Sequence, residues 1–246
     1  MSPNTLVCIL CVAALLTGSA QATTVLPAPG LVRMTMDDGD GHDTYASTYG
    51  HLGNDLTHGN SESVWVGKAG DWRHNAYFKF DQLPDLALPP GRVVSAALWL
   101  CVGKLEQPGS TADVVILGHR VLEPWTERTD GGMTGNSQPA VEAGWTFRTA
   151  ETPSLGFRSY DVTGLVRDWL AEPESNCGVR LSHEYDVEQT YYFVSSEAHG
   201  PYPEWPYHSP ENRPYLEITY AMHEPSACAM LLLGSAILAA RKRRTA

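Results

Sequence analysis

Short extended runs separated by turn-forming residues constrain most strongly how this chain folds. In the clearest run, Ala76, Phe78 and Phe80 lie on one face of an extended strand, and Tyr77 and Lys79 lie on the other. Further β-rich runs, each bounded by Gly, Pro, Asn or Asp, follow at residues 94–102, 114–117, 145–148, 178–181, 190–195 and 215–220. Short strands without long helical patterns are typical of sandwiches, so the sequence predicts an all-β fold: an antiparallel β-sandwich of the jelly-roll type.

Two segments depart from this strand pattern. Leu165, Val166 and Trp169 share one side of a helix, so we predict one short helix that Thr163 caps. Residues 37–60 are rich in glycine and histidine, and they predict a long loop with little regular structure.

The amino-terminal end has the features of an export signal. Residues 6–16 form an apolar core, and Ala20-Gln21-Ala22 supplies the small-x-small pattern that signal peptidase requires. We therefore predict a signal peptide at residues 1–22 and a mature chain that starts at Thr23. No Lys or Arg precedes the apolar core, so an uncleaved amino-terminal anchor is the alternative.

The carboxyl-terminal end combines an apolar run at residues 227–240 with the basic cluster Arg241-Lys242-Arg243-Arg244. About 14 residues rise about 21 Å as a helix, less than the roughly 30 Å of a bilayer core, so this is a short transmembrane segment. The cations favour the cytoplasmic side. Residues 223–246 resemble the PEP-CTERM sorting signal of bacterial surface proteins, although Met222-His223 replaces Val-Pro before Glu224-Pro225.

The resemblance of the tail implies processing by an exosortase-type enzyme and at least transient contact with the membrane. A plain tail anchor, with permanent membrane contact, is the alternative.

Charge narrows the range of partners. The whole chain carries a formal net charge of −11. Residues 223–246 have a net charge of +3, so the single domain at residues 23–222 has a net charge of −14. Such a field repels nucleic acid and anionic membrane surfaces, whereas neutral glycans or divalent cations are compatible with it. Cys101 and Cys177 are the cysteines of this body. We predict a disulfide between them outside the cytoplasm, with two buried free thiols as the alternative.

Catalytic patterns are missing from the sequence. No spacing among the acids selects a glycosidase carboxylate pair, and neither G-x-S-x-G nor H-E-x-x-H occurs. We therefore predict that the chain is not an enzyme.

An acidic loop at residues 37–43 predicts a structural Ca²⁺ site. It gathers four carboxylates among glycines, and hard oxygen ligands of this kind suit calcium. Asp38, Asp40 and Asp43 are the predicted ligands, and Glu197 is a candidate for a further one. A solvated acidic turn is the alternative.

A proline-rich segment at residues 197–213 predicts a glycan site. Tyr202, Trp205 and Tyr207 alternate with prolines that stiffen the loop, and aromatic faces on such a loop can stack on sugar rings. Arg213 would donate hydrogen bonds to hydroxyl groups. The alternative is that these rings pack over the sandwich edge as an apolar lid.

Other tryptophans have weaker functional patterns. Trp125 and Trp169 lie at positions that favour support of the core, whereas Trp72 with Arg73 would extend a binding face.

A set of short motifs follows in a fixed order along the body: Asp43-Thr44-Tyr45, Ser63 to Gly67, Tyr77 to Asp81 with Leu83-Pro84, Ser95 to Leu100, Trp125-Thr126-Glu127, Tyr160 to Thr163, Phe193 to Glu197 and Arg213 to Tyr220. In this order the motifs resemble the DNRLRE domain, an extracellular β-sandwich related to carbohydrate-binding module family 96.

This resemblance and the two ends predict an exported, non-catalytic protein of the cell surface, outer envelope or extracellular matrix. Its sandwich would bind extracellular polysaccharide. The alternative is a structural or adhesive surface protein that contacts other proteins without binding glycans.

Overall fold

A computed structural model of the chain describes residues 29–36, 42–49, 52–53, 55–107, 110, 112–127, 131–184, 187–200, 203 and 205–222. The predicted signal peptide and sorting tail lie outside these residues. The segment Pro29–Met222 is one compact unit. Within the described ranges, no helix is both long and apolar enough to cross a membrane.

The described residues form a curled sheet whose paired strands all run antiparallel. Its strands are β1 (Gly30–Thr35), β2 (His42–Tyr49), β3 (Leu52–Gly53), β4 (Ser63–Ala69), β5 (Trp72–Lys79), β6 (Val93–Leu105), β7 (Val114–Arg120), β8 (Phe147–Glu151), β9 (Gly156–Asp161), β10 (Val179–His183), β11 (Thr190–Val194) and β12 (Tyr215–Tyr220). Helix α1 (Thr163–Ala171) is the short helix. The predicted all-β sandwich with one helix is confirmed.

Strand β6 is the longest element, with 13 residues, and it pairs with β9, β11 and β12. The alternation in residues 94–102 predicts one apolar face made of Val94, Ala96, Leu98, Leu100 and Val102. The last four are buried in the main core, whereas Val94, at the start of the strand, is exposed. The helix α1 closes this core with its apolar side, because Leu165, Val166 and Trp169 are buried there.

The predicted role of Thr163 as helix cap is wrong. The residue before α1 is Val162, and no side chain caps the helix from that position. Thr163 Oγ1 instead accepts a hydrogen bond from the Ala96 amide at 2.9 Å, which ties the helix to β6. Asp161 Oδ1 accepts a hydrogen bond from the Thr163 amide at 2.9 Å and so satisfies a free amide of the first turn.

The predicted long loop at residues 37–60 is also wrong for its central part. Strand β2 pairs with β5 along its full length, from His42 opposite Lys79 to Tyr49 opposite Trp72. Its threonine and tyrosine residues suit a pleated strand, and long-range pairing with β5 outweighs the local turn signals.

The predicted disulfide is not formed, because Cys101 and Cys177 are both free. Cys101 is buried with Val194 and Ala198, whereas Cys177 packs against a separate cluster that contains Trp125. The two thiols therefore belong to different packing environments. Burial raises the pKa of the Cys101 thiol to about 11, so this side chain is a poor nucleophile.

Acid should destabilise this fold through His208. The ring is fully buried, and its two nitrogens have no hydrogen-bond partner among the described residues. Burial lowers its pKa from 6.5 to about 4. The unfolded chain thus binds the proton more readily, and stability falls as the pH drops from about 6.5 towards about 4. At pH 5 the loss should be about 2 kcal/mol.

Urea unfolding at pH 7 and pH 5 measures this loss. In His208→Gln the pH dependence should shrink by that amount, while the exposed-site control His199→Gln should keep it. An unchanged pH dependence in His208→Gln would contradict the assignment.

Candidate functional site

The four residues predicted to bind glycan do not share one environment in the structure. Tyr202 lies outside the described residues. The Trp205 ring packs 4.4 Å from the His208 ring and edge-on to Tyr192 at 6.0 Å. The Lys104 ammonium lies 4.9 Å from the centre of the Trp205 ring. Trp205 therefore packs on the sheet, an arrangement closer to a lid than to a free platform.

Tyr207 and Arg213 belong to the same segment but have different surroundings. Tyr207 is partly exposed, and its carbonyl accepts a hydrogen bond from Asn212 Nδ2 at 2.9 Å. The Arg213 guanidinium donates to the Ala198 carbonyl at 3.1 Å, which closes the segment on itself. A glycan-binding role for these four residues stays a prediction.

Tyr192 also lines a cleft, and none of the described residues predicted to bind glycan is part of the lining of that cleft. Its volume is about 330 Å³. The lining is mainly aromatic and comes from strands β2, β4, β5 and β11, the residue after β6 and the segment before β4. It consists of Tyr45, Ser47, Leu56, His58, Trp65, Ala69, Trp72, His74, Glu106 and Tyr192.

Cross-strand register brings the rings of this cleft together. Tyr192 lies directly opposite Trp65 on β4 and opposite Lys104 on β6. Because side chains of paired residues share one face of a sheet, Trp65 and Tyr192 meet edge-on at 4.8 Å. Gly67 lets β4 approach β11 closely, since a Cβ atom there would lie 2.1 Å from the Gln189 carbonyl oxygen.

A stack of three rings stiffens the back of the cleft. The Tyr45 ring stacks on His58 at 3.9 Å and on Trp65 at 4.8 Å. His74 meets Trp65 edge-on at 5.1 Å, and its Nδ1 is 2.8 Å from Ser47 Oγ. Each ring is thus held by a neighbour, and little side-chain freedom is left to lose when a ligand binds.

Burial keeps the ring nitrogens of this cleft neutral. It lowers the pKa of His74 to about 4 and also lowers the pKa of His58. Burial likewise raises the pKa of the Tyr45 hydroxyl to about 12. Glu106 is exposed at the edge and accepts a hydrogen bond from the Tyr192 hydroxyl. The cleft therefore offers neutral rings and one carboxylate.

A cluster of three carboxylates lies near the cleft. Asp43, Glu127 and Glu197 each place one oxygen so that the three oxygens lie within 4.8 Å of one another. Asp38 and Asp40, the other predicted calcium ligands, lie outside the described residues. Asp43 and Glu197 were expected from the sequence, but Glu127 was missed because no local spacing connects it to the acidic loop.

Hydrogen bonds hold this carboxylate cluster while leaving two of its oxygens unpartnered. The Ser196 amide donates to Asp43 Oδ2 and the Ser196 hydroxyl donates to Glu197 Oε1, both at 2.8 Å. His42 Nδ1 is 3.0 Å from Glu127 Oε2. Glu127 Oε1 and Glu197 Oε2 are buried and accept no hydrogen bond from any described residue.

Burial makes the ionised form of the cluster costly. Burial and the nearby Glu197 raise the pKa of Asp43, and burial raises the pKa of Glu127 to about 7. A divalent cation would offset this cost, because it supplies positive charge to buried oxygens that lack donors. The residues present therefore fit an oxygen-liganded ion such as Ca²⁺.

The cluster and the cleft share structural elements. Asp43 and Tyr45 are two residues apart on β2, so their side chains leave the same face. Gly59, next to His58, packs so tightly on Glu127 that a Cβ atom there would lie 1.5 Å from the Glu127 carbonyl oxygen. The segment that carries His58 into the cleft thus packs on a residue of the cluster.

Flat rings with a few polar groups suit sugar rings, so a sandwich with an aromatic cleft of this kind is compatible with the class of carbohydrate-binding β-sandwiches. The sequence model of carbohydrate-binding module family 96 matches residues 41–207, more than half of the chain, and the chain belongs to that family. The range contains every residue of the cleft and of the carboxylate cluster. No curated protein matches the chain.

The family confirms the resemblance to carbohydrate-binding module family 96 that the motifs predict. Much of the cleft lies within those same motifs, since Tyr45 follows Asp43-Thr44 and Trp65 lies in Ser63 to Gly67. What the sequence did not indicate is that Trp65, His74 and Tyr192 would meet, because they are far apart along the chain.

Glu127→Gln should stabilise the protein when divalent cations are removed. The raised pKa of Glu127 means that the folded state loses stability as the pH rises through about 7. At pH 8 with chelator, removal of this charge should raise the free energy of unfolding by about 3 kcal/mol. Urea titration measures it, and Glu174→Gln, at an exposed site, is the matched control. A destabilised Glu127→Gln under these conditions would refute the charge argument.

Proposed function

We propose that the chain is an exported, non-catalytic surface or matrix protein whose sandwich binds extracellular polysaccharide in the aromatic cleft. The observation that carries this proposal is the pre-ordered set of rings around Trp65, together with the exposed ring of Trp72 at the cleft. Membership in a family of carbohydrate-binding modules supports it.

Binding would combine stacking with hydrogen bonds. The faces of Trp72 and Trp65 are apolar and flat, and they suit the CH face of a pyranose ring. Ser47, His74 and Glu106 then supply polar atoms for hydroxyl groups at the same cleft. Trp205 is not a lining residue, but its ring contacts the Tyr192 ring and so supports it. The segment that contains Tyr202, Tyr207 and Arg213 would extend the binding site for a longer glycan chain.

A second candidate function, adhesion to other proteins, is favoured by a separate exposed surface. The rings of Trp99 and Tyr215 stack at 5.8 Å, and the Arg33 guanidinium lies 4.2 Å from the centre of the Tyr215 ring. Phe157 and Leu31 are exposed large apolar side chains on the neighbouring strands. Such a surface would contact a protein without any sugar.

Calcium is part of the proposal as a structural ion. Asp43, Glu127 and Glu197 would hold it, with Asp38 and Asp40 as candidate ligands from the acidic loop. The unpartnered oxygens Glu127 Oε1 and Glu197 Oε2 support this assignment. The ion would neutralise the buried carboxylates and fix the segment that carries His58.

The sequence patterns of the two ends support a proposal about export and anchoring. We propose that residues 1–22 direct secretion, and that residues 223–246 hold the chain at the membrane until an exosortase-type enzyme processes the tail. The support for this part is the sequence pattern of the ends alone.

Trp72→Ala should weaken polysaccharide binding by roughly ten- to a hundredfold, because it removes a stacking surface worth about 1.4 to 3 kcal/mol. The side chain is 39% exposed, so the fold should tolerate the change. Affinity electrophoresis across a polysaccharide panel measures the effect. The control is Trp145→Ala, which removes a ring that is 60% exposed and lies outside the cleft. Equal loss in both variants would reject the cleft, and no binding by the wild type would reject glycan binding.

Calcium should raise the melting temperature of the full chain. Binding to the native state alone stabilises by RT ln(1 + [L]/Kd), so millimolar Ca²⁺ should add several degrees over the chelated protein. Asp43→Asn should remove this increment, and Glu174→Gln should keep it. An identical melting temperature with CaCl₂ and with chelator would reject the ion.

A further inference from the structure

We propose that strand β1 is a docking edge for a second copy of this chain, with the two β1 strands paired antiparallel about a two-fold axis at Val32. The sheets of the two copies would then continue into one another. This contact is separate from glycan binding, because none of the described residues that line the aromatic cleft belongs to β1 or to its neighbour β12.

Strand β1 is an edge of the sheet within the described ranges, where β12 is its one pairing partner. In an antiparallel ladder an edge strand directs about half of its amide and carbonyl groups away from its neighbour. Such groups form a template for another strand unless the chain protects them. The pairing with β12 runs from Gly30 opposite Tyr220 to Thr35 opposite Tyr215 without a bulge, so this edge is regular.

The usual protections of a sheet edge are missing from β1. The strand reads Gly-Leu-Val-Arg-Met-Thr, with neither lysine nor proline. Its one charged residue, Arg33, is compensated, because the guanidinium lies 2.9 Å from a Glu217 carboxylate oxygen and 4.2 Å from the centre of the Tyr215 ring. Leu31, on the same face, is 62% exposed. An approaching strand therefore meets an apolar side chain and a neutralised charge.

The side chains of β1 favour one register of self-pairing. With the axis at Val32, Leu31 lies opposite the partner's Arg33, whose aliphatic stem can cover it. An axis at Arg33 would place two guanidinium groups directly opposite each other, which is unfavourable. An axis at Leu31 would place Arg33 opposite the partner's Pro29, which has no amide to donate. An axis at Met34 would leave Leu31 beyond the paired residues.

Charge is balanced along the rows of side chains that this register joins. Arg33 lies opposite Glu217 on β12, and Leu31 lies opposite Thr219. Each joined row therefore contains one complete ion pair, followed by the partner's Leu31 and the partner's Thr219. The body of the chain carries a net −14, since the whole chain has −11 and the tail +3. A neutral edge lets two such acidic bodies meet without added local repulsion, and salt should strengthen the contact by screening the long-range repulsion.

Pre-ordering and size set the expected affinity. Glu217 and Tyr215 already hold the Arg33 side chain, so little of its freedom is lost when a second copy docks. A contact along one strand edge is small compared with the roughly 1,600 Å² of a standard interface. We therefore expect weak association, with a Kd of roughly 10 to 100 µM.

Sedimentation equilibrium of the full chain, in density-matched detergent because both ends are apolar, measures the association from about 1 to about 300 µM. We expect a monomer–dimer equilibrium whose Kd falls at least about threefold between about 0.05 M and about 0.5 M NaCl. A chain that stays monomeric over the whole range at high salt would overturn the proposal.

Substitutions at Leu31 test the edge and the register together. Leu31→Lys should raise the Kd at least about tenfold, because the new ammonium group would lie opposite the partner's Arg33. Leu31→Glu should keep or lower the Kd, because its carboxylate would pair with that same arginine. The net charge of the body alone predicts the reverse order, since Lys makes the body less acidic and Glu makes it more acidic.

The matched controls are Leu122→Lys and Leu122→Glu, which change a leucine that is 53% exposed outside β1 and should leave the Kd nearly unchanged. Circular dichroism and melting temperature establish that all four variants fold. Equal loss of association in both Leu31 variants would overturn the Val32 register. Association that survives Leu31→Lys, or that falls equally in Leu122→Lys, would show that the dimer does not form through β1.

Discussion

The apolar face of strand β6 is the constraint on which the rest of the structure depends. Its buried residues from Ala96 to Val102 fill the centre of the core, and three other strands pair along its length. Burial of such a face contributes on the order of 2 kcal/mol for each large side chain, which no single surface contact matches. Because Lys104 lies at the end of this strand and Glu106 follows it directly, the same packing that holds the core also sets the edge of the cleft.

Strand β2 contributes residues to both the cleft and the carboxylate cluster, and Tyr45 in the cleft and Asp43 in the cluster have different electrostatic environments. Tyr45 contributes a ring that stacks on His58 and on Trp65, whereas Asp43 contributes a carboxyl group whose charged form its surroundings do not fully compensate. The first arrangement is stable as it stands. The second favours a bound cation or a retained proton, and it makes the local stability of this end of the sandwich dependent on solution conditions.

The sequence predicted the parts of the fold that local periodicity encodes. The alternation of Phe78 and Phe80, the buried face of β6 and the apolar side of α1 were all readable, and the order of motifs indicated the family. The β2 strand, the true contact of Thr163 and the free thiols were not, because each depends on which distant segment packs alongside. The cleft could not be predicted for the same reason, because Trp65 and Tyr192 are brought together only by the register of β4 and β11.

The pairing of β1 with β12 has a consequence for how the sandwich can be joined to other chains. Gly30 lies opposite Tyr220, so the polypeptide enters and leaves the sheet at neighbouring positions on one edge. A unit with adjacent ends can be inserted into a surface loop of a host protein without stretching either partner. The sandwich is thus suited to insertion as a domain that two short linkers at one edge of the sheet would connect to the host protein.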